Sequence, residues 1–374
     1  MTRRQLLALV PAALDAQDRG AGSTPLFDGV SLRGWRIQHG TETAFHVDEG
    51  AIVVHSSSNF PTWLRSERQY ENFDFECEFF VKGWIDSGVY LHAPEHGRPG
   101  ECGMMVKLFH KRDEVMRPES MGAIFPVVPP RLINVKNQGE WNTLRIRMDW
   151  PRLQVWSNGE MAQDLDCDAI PELRYRLRSG FLGFQSLSYP IRFRNIRIRE
   201  LPSQTEWNEL YTTPADMAKW HVAEGKDAST WEAIGGVLRA DGLGYLATNE
   251  RWRDFALQAY VRASKHSNGG VLFRCHSDDP RDPRYEIQIH DVEGAVYPTG
   301  SLYGHRRAIY PEISSGEWYL LQLFVKDRRC VVRINGDTVV DYGEMDNLAT
   351  GSIMLQAHRR GSWIEYKDIR VQQL

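Results

Sequence analysis

The chain says the same thing twice. Gly139-Glu140-Trp141 returns as Gly316-Glu317-Trp318, and Asn158-Gly159 returns as Asn335-Gly336, both 177 residues further on. Trp35, Phe73 and Gln185 recur as Trp220, Phe255 and Gln356, at offsets of 185, 182 and 171. A drifting offset means that loops have gained and lost residues between the repeated positions, as they do when β domains duplicate. The period is far longer than a solenoid unit, so each copy is a domain. Both halves must therefore reach the same fold, and 374 residues supply a core for each. The copies also form an internal comparison. A residue type that the fold needs should stand in both; one kept for chemistry can stand in only one.

Short alternating segments fill both copies. Phe73-Asp74-Phe75-Glu76-Cys77-Glu78-Phe79 is one, and Leu320–Val325 before Asp327-Arg328 is another. Period-two alternation broken by Asn-Gly and Asp-Gly turns predicts antiparallel strands and hairpins, and hardly any segment has a helical period. About a dozen strands per half with polar outer faces predict a two-sheet sandwich. The expected domains are 25–201 and 206–374, joined by Leu201-Pro202-Ser203-Gln204-Thr205-Glu206. Residues 1–24 read as a signal-like segment. Thr2-Arg3-Arg4-Gln5-Leu6-Leu7 and the apolar run to Leu14 resemble a twin-arginine export signal, which predicts a periplasmic or secreted protein.

Charge narrows the partners. A net charge of −4, with no block of like charge, argues against nucleic acid and anionic membranes. No segment is long and apolar enough for a transmembrane span. The five cysteines show no CxxC or Cys/His metal spacing, and their odd number argues against a full disulfide framework. The sequence does not fix an oligomeric state. Twelve Trp, fourteen Tyr and fifteen Phe suit sandwich cores and also the stacking of sugar rings.

The comparison between copies is sharpest at Tyr285-Glu286-Ile287-Gln288-Ile289-His290. Alternation sends Tyr285, Ile287 and Ile289 to the core and Glu286, Gln288 and His290 to the opposite, often concave, face. At the same register the first copy reads Met104-Met105-Val106-Lys107-Leu108-Phe109. The core set survives as Met104, Val106 and Leu108; the other face becomes Met105, Lys107 and Phe109. Two further segments repeat the contrast: Arg274 answers to His92, and His358 to Leu187, beside Gln356. Glu286, Gln288, His290, Arg274, Gln356 and His358 are thus expected on a common face, with Asp291 in the next loop.

These residues carry a family resemblance. Leu26-Phe27-Asp28-Gly29, Trp35, Gly139-Glu140-Trp141-Asn142 and Phe193-Arg194-Asn195-Ile196 resemble the 3-keto-disaccharide hydrolase-like domain family. The second half resembles it through Tyr285–Asp291, Thr299-Gly300-Ser301-Leu302-Tyr303-Gly304, Gly316-Glu317-Trp318 and Gln356-Ala357-His358. The resemblance implies an all-β chain of two tandem concanavalin A-like jelly-roll β-sandwiches, the first a degenerate copy. It also implies cleavage of 3-keto-glycosides by proton abstraction at C2, elimination and hydration. Such a route needs a base, a group for the enolate oxygen and an acid for the leaving group. Glu286 or His358 suits base or acid, and Arg274 or a divalent metal ion suits the enolate. Gln288, Gln356, His290 and Asp291 suit a small-molecule or oligosaccharide substrate. No cofactor is required by the pattern, and a metal would be shared by Glu286 and His358. The competing reading is a non-catalytic carbohydrate-binding double sandwich.

Overall fold

A computed structural model describes residues 22–111, 115–223, 230–279, 282, 284–309 and 313–374. Residues 1–21, most of the signal-like segment, lie outside the described residues. The described residues form two compact units. Those up to Val89 form one with Val106–Pro171 and Gly183–Pro202; Tyr90–Met105, Glu172–Leu182 and Ser203–Leu374 form the other.

The fold is all-β and built twice. In the first sandwich the larger sheet runs in the order Glu160–Asp166, Arg152–Ser157, Trp141–Asp149, Phe73–Val81, Ile191–Glu200, Ala51–Val54 and Phe45–Asp48. The smaller sheet runs Trp35–Gln38, Trp63–Tyr70, Gly180–Gln185, Asp86–Ala93 and Met104–Phe109. The second sandwich has the same order strand for strand. Its larger sheet contains Asp337–Tyr342, Arg329–Ile334, Tyr319–Lys326, Phe255–Ala263, Ile364–Gln373, Val237–Asp241 and Thr230–Ile234. Its smaller sheet contains Trp220–Val222, Gly244–Thr248, Ser352–Ala357, Asn268–Cys275 and Tyr285–His290. All the recorded ladders are antiparallel, as the alternation required.

The repeated residues hold the frame. Asn158 and Gly159 have φ of 48° and 83°, and Asn335 and Gly336 have 49° and 94°. Two consecutive left-handed residues make the turn that matches hairpin twist, so Asn-Gly stands in both copies. The asparagine side chain adds a second lock: its Oδ1 accepts from Thr143 N at 2.9 Å in one copy and from Leu320 N at 3.0 Å in the other. Trp35 donates its indole N–H to Leu26 O at 2.7 Å, and Trp220 donates to Leu210 O at 2.9 Å. Phe73 and Phe255 are fully buried.

In the second sandwich the core lies between the sheets. Phe255, Leu257 and Val261 of the larger sheet meet Val271, Phe273, Tyr285, Ile287, Ile289 and Leu355 of the smaller one. The same alternation therefore turns Glu286, Gln288 and His290 to the outer face. All five cysteines are buried free thiols. No helix among the described residues is long and apolar enough to cross a membrane.

Candidate functional site

The strand Tyr285–His290 lies at the edge of its sheet, but its edge is not bare. Gly300 donates its N–H to Gln288 O at 2.8 Å, Gln288 donates to Ser301 O at 2.9 Å, and Tyr303 donates to Glu286 O at 2.9 Å. His290 N donates to Thr299 Oγ1 at 3.0 Å. The segment 299–303 thus runs along the strand, satisfies its backbone and fixes its side-chain register. The first copy has the same device, with Gly122 N donating to Lys107 O and Lys107 N to Ala123 O, both at 2.9 Å. Lys107 is therefore the structural counterpart of Gln288, and Met105 that of Glu286.

Neighbouring strands complete the face in rows. Tyr245, Gln356, Gly270 and Gln288 are successive cross-strand partners in one row. Ala247, Met354, Leu272 and Glu286 form the next. On the other side, Asn268 stands opposite His290, and His358 N donates to Asn268 O at 3.2 Å. The Gln288 amide donates to Asn268 Oδ1 at 2.9 Å, and the Gln356 amide to the Tyr245 hydroxyl at 3.1 Å. The Arg284 guanidinium lies 5.1 Å from the Tyr245 ring centroid.

Glu286 leans across Gly270. A Cβ at position 270 would come within 2.5 Å of Glu286 Oε1 and 2.8 Å of its Cγ, so only glycine leaves room for the carboxylate. On its other side lie Leu272 and Met354, members of a small apolar cluster with Ala223, Ala247 and Cys275. Withdrawn from water by these neighbours, the carboxyl is pushed up to about 7, with the Arg284 charge pulling it back part of the way. Among the described residues no side chain or backbone N–H donates to it. Burial also lowers His290, against the opposing pull of the Tyr297 backbone and Asp291; the nearby His358 adds to the lowering.

The expected residues separate into three groups. Glu286, Gln288, His290 and Gln356 share the outer face, and His358 is exposed at its rim. Asp291 follows the strand in the loop, where its Oδ2 accepts from Ser315 Oγ. Arg274 is not brought to the face. The ladder shifts register between Leu272 and Cys275, Arg274 has φ of 55°, and Cys275 takes the outward place. Its fully buried guanidinium donates to Asn347 O at 2.8 Å, Asp327 O at 2.7 Å, Arg253 O at 3.2 Å and Asp254 Oδ1 at 3.1 Å. His92, its counterpart, has the same left-handed φ of 52° and is equally buried. Strict alternation could not reveal a bulge, and the placement of Arg274 on the face is corrected accordingly. Tyr245, Asn268 and Arg284 belong to the face and were missed. Tyr245 was findable, because Gly244-Tyr245-Leu246-Ala247 alternates around the buried Leu246.

Among the described residues, no group of three or more His, Cys, Asp or Glu side chains is arranged to hold a metal ion. What the face offers is a desolvated carboxyl, three side-chain amides, a phenol, an arginine and two imidazoles. Those groups can move one proton and hold several hydroxyls.

Two sandwiches of one strand order, with this polar face on the second, define a tandem-duplicated β-sandwich protein. The sequence profile of the 3-keto-alpha-glucoside-1,2-lyase-like domain matches residues 22–199 and again residues 207–372, and the chain belongs to that family as two tandem copies. Among solved structures it is similar to a candidate glycosyl hydrolase from Parabacteroides distasonis, at 20% identity and a TM-score of 0.43, covering 52% of this chain and 99% of that one. A second from the same organism has 22% identity and a TM-score of 0.42, covering 48% and 99%. A carbohydrate-binding module from Bacillus subtilis has 13% identity and a TM-score of 0.34, covering 45% and 96%. No curated protein matches the chain.

Proposed function

We propose that the second sandwich cleaves 3-keto-glycosides by elimination and hydration, with Glu286 as the base. The observation that carries this reading is the Glu286 carboxyl, held over Gly270 against Leu272 and Met354 and titrating near neutrality. A base works best when its affinity for protons matches the working pH, and an ordinary solvated carboxylate is too weak.

A C3 ketone acidifies the neighbouring C2–H. Glu286 takes that proton, and the electron pair passes into the C2–C3 enolate. The enolate collapses, restores the ketone, forms the C1–C2 double bond and expels the C1 oxygen substituent. A proton on the departing oxygen completes the elimination; His358 at the rim or His290 supplies it. Water then adds back, its oxygen to C1 and its proton to C2, giving net hydrolysis. Gln288, Gln356, Asn268 and Tyr245 hold sugar hydroxyls, and the Arg284 charge is placed to offset the enolate. Arg274 has no part in this scheme.

The experiment is aglycone release from a 3-keto aryl glucoside and from its unoxidised parent. Release from the 3-keto compound alone supports the reading. Release from neither, with saccharide binding intact, would leave a double binding module. On location, we propose export through the twin-arginine-like segment at Arg3-Arg4. Mature protein beginning beyond residue 14 in a periplasmic fraction would support it, and intact Met1 in the cytosol would overturn it.

A further inference from the structure

The first copy lost the carboxylate and the glutamine, but its outer face did not become a blank. Lys107, at the Gln288 position, is buried and forms an ion pair with Asp86, which stands where Asn268 does in the second copy. A neutral amide pair in one sandwich is thus a charged pair in the other, at the same two positions. Its ammonium also lies 4.8 Å from the Phe125 ring centroid.

Beside this pair the imidazole end of the face has turned aromatic. Phe109 occupies the His290 position, two residues along the strand from Lys107 and on the same face. His110 follows it, Tyr189 answers to Arg360, and Trp84 answers to His266. These four rings form one cluster around Trp84. Tyr189 packs against it at 4.7 Å and 63°, His110 at 5.1 Å and 52°, and Phe109 at 5.8 Å and 79°. His110 Nδ1 is 3.0 Å from the Ile85 carbonyl, which ties the cluster to the chain between Trp84 and Asp86. Despite three ring neighbours, Trp84 remains 52% exposed. An indole held by three rings and still half open to water is a poor use of apolar surface unless something flat covers it.

We infer that Trp84 is a stacking platform for a pyranose ring, and that the first sandwich holds a non-catalytic saccharide subsite. The C–H face of the sugar lies on the indole, and a hydroxyl at the ring edge meets the part-exposed Asp86 carboxylate, which the buried Lys107 ammonium holds in place. A carboxylate kept ionised by a buried ammonium suits this ligand, because it accepts strongly from a sugar hydroxyl. The inference does not depend on Glu286 being a base; it concerns other residues in the other sandwich.

The test uses the full chain with maltotriose, cellotriose and xylotriose as probes, followed by saturation-transfer NMR and calorimetry. At least one trisaccharide should bind. Trp84→Ala should weaken that binding about tenfold or more and Tyr189→Ala several-fold, while Trp84→Phe keeps part of it. Glu286→Gln should leave the Trp84-dependent binding unchanged, so a failed lyase assay and a failed platform remain separate results. Absence of saturation transfer from all three sugars would overturn the inference, as would binding that is indifferent to both Trp84→Ala and Tyr189→Ala. So would sugar-independent dimerisation abolished by Trp84→Ala, since that would make the patch a contact between copies. Circular dichroism of each variant reports folding; should Trp84→Ala unfold, Trp84→Phe and Tyr189→Ala carry the comparison.

Discussion

In the proposed reaction Glu286 is the base, and its chemistry follows from where its carboxyl sits. Removing a catalytic base costs roughly 10²–10⁴ in rate, so Glu286→Gln should lower kcat by that factor against a 3-keto aryl glucoside with KM little changed. In the wild type, kcat should rise with pH through a group titrating at about 7, because the base must be ionised to accept the proton. Stability should run the other way. Burial raises the carboxyl from its ordinary 4.5, so between about 4.5 and 7 the folded chain holds a proton that the unfolded chain releases. Stability therefore falls as pH rises through that window. Glu286→Gln removes the effect, so its Tm should gain on the wild type above pH 7 and lose that advantage below pH 4.5. A thermal series over pH would read both limbs. The sequence made Glu286 visible only by contrast with Met105. Its burial against Leu272 and Met354, which sets the proton affinity, comes from two other strands and was not legible.

At the scale of strands and turns, alternation and turn chemistry carried most of the information, and they failed where the chain departs from a straight ladder. Asn158-Gly159 and Asn335-Gly336 announced their hairpins, because few other residues accept two successive left-handed conformations. The bulge at Arg274 announced nothing: Leu272-Phe273-Arg274-Cys275 reads as an unbroken strand, yet one left-handed residue sends the guanidinium to carbonyls behind the sheet. Two glycine substitutions separate the kinds of constraint. Gly159 has φ of 83° and open space where a Cβ would go, so Gly159→Ala should cost only the left-handed backbone penalty. That is about 1–2 kcal/mol, measured by denaturant unfolding, with turnover unchanged. Gly270 has no such φ, but a Cβ there strikes Glu286 and comes within 2.9 Å of Ile287 O. Gly270→Ala should displace the carboxylate and lower kcat at least tenfold, well beyond what its loss of stability explains. Equal losses of activity in both variants would mean that general destabilisation, rather than the seat of Glu286, controls turnover.

Across the whole molecule, duplication made the fold legible and the division of labour only half so. Trp35 with Trp220 and Asn158 with Asn335 persist because each makes the same backbone bond in its own sandwich. The persistence of Gln185 with Gln356 is less simple, since among the described residues only Gln356 meets a tyrosine hydroxyl. Loss of the polar signal in the first copy read as decay, because single letters do not show pairs: Lys107 gains meaning only beside Asp86, 21 residues earlier, and Phe109 only beside Trp84. Lys107→Ala strips the partner from Asp86, whose side chain keeps 25% exposure and so escapes the full penalty of a deeply buried orphan charge. The loss should be about 1–3 kcal/mol, read as a lower denaturant midpoint, while turnover of the 3-keto substrate stays within about threefold, since no step of the proposed reaction uses the first sandwich. Glu286→Gln should show the reverse: turnover nearly gone and the midpoint raised rather than lowered at neutral pH. Loss of turnover in Lys107→Ala at a temperature where the chain remains folded would place chemistry in the first sandwich, and the division between the copies would have to be redrawn.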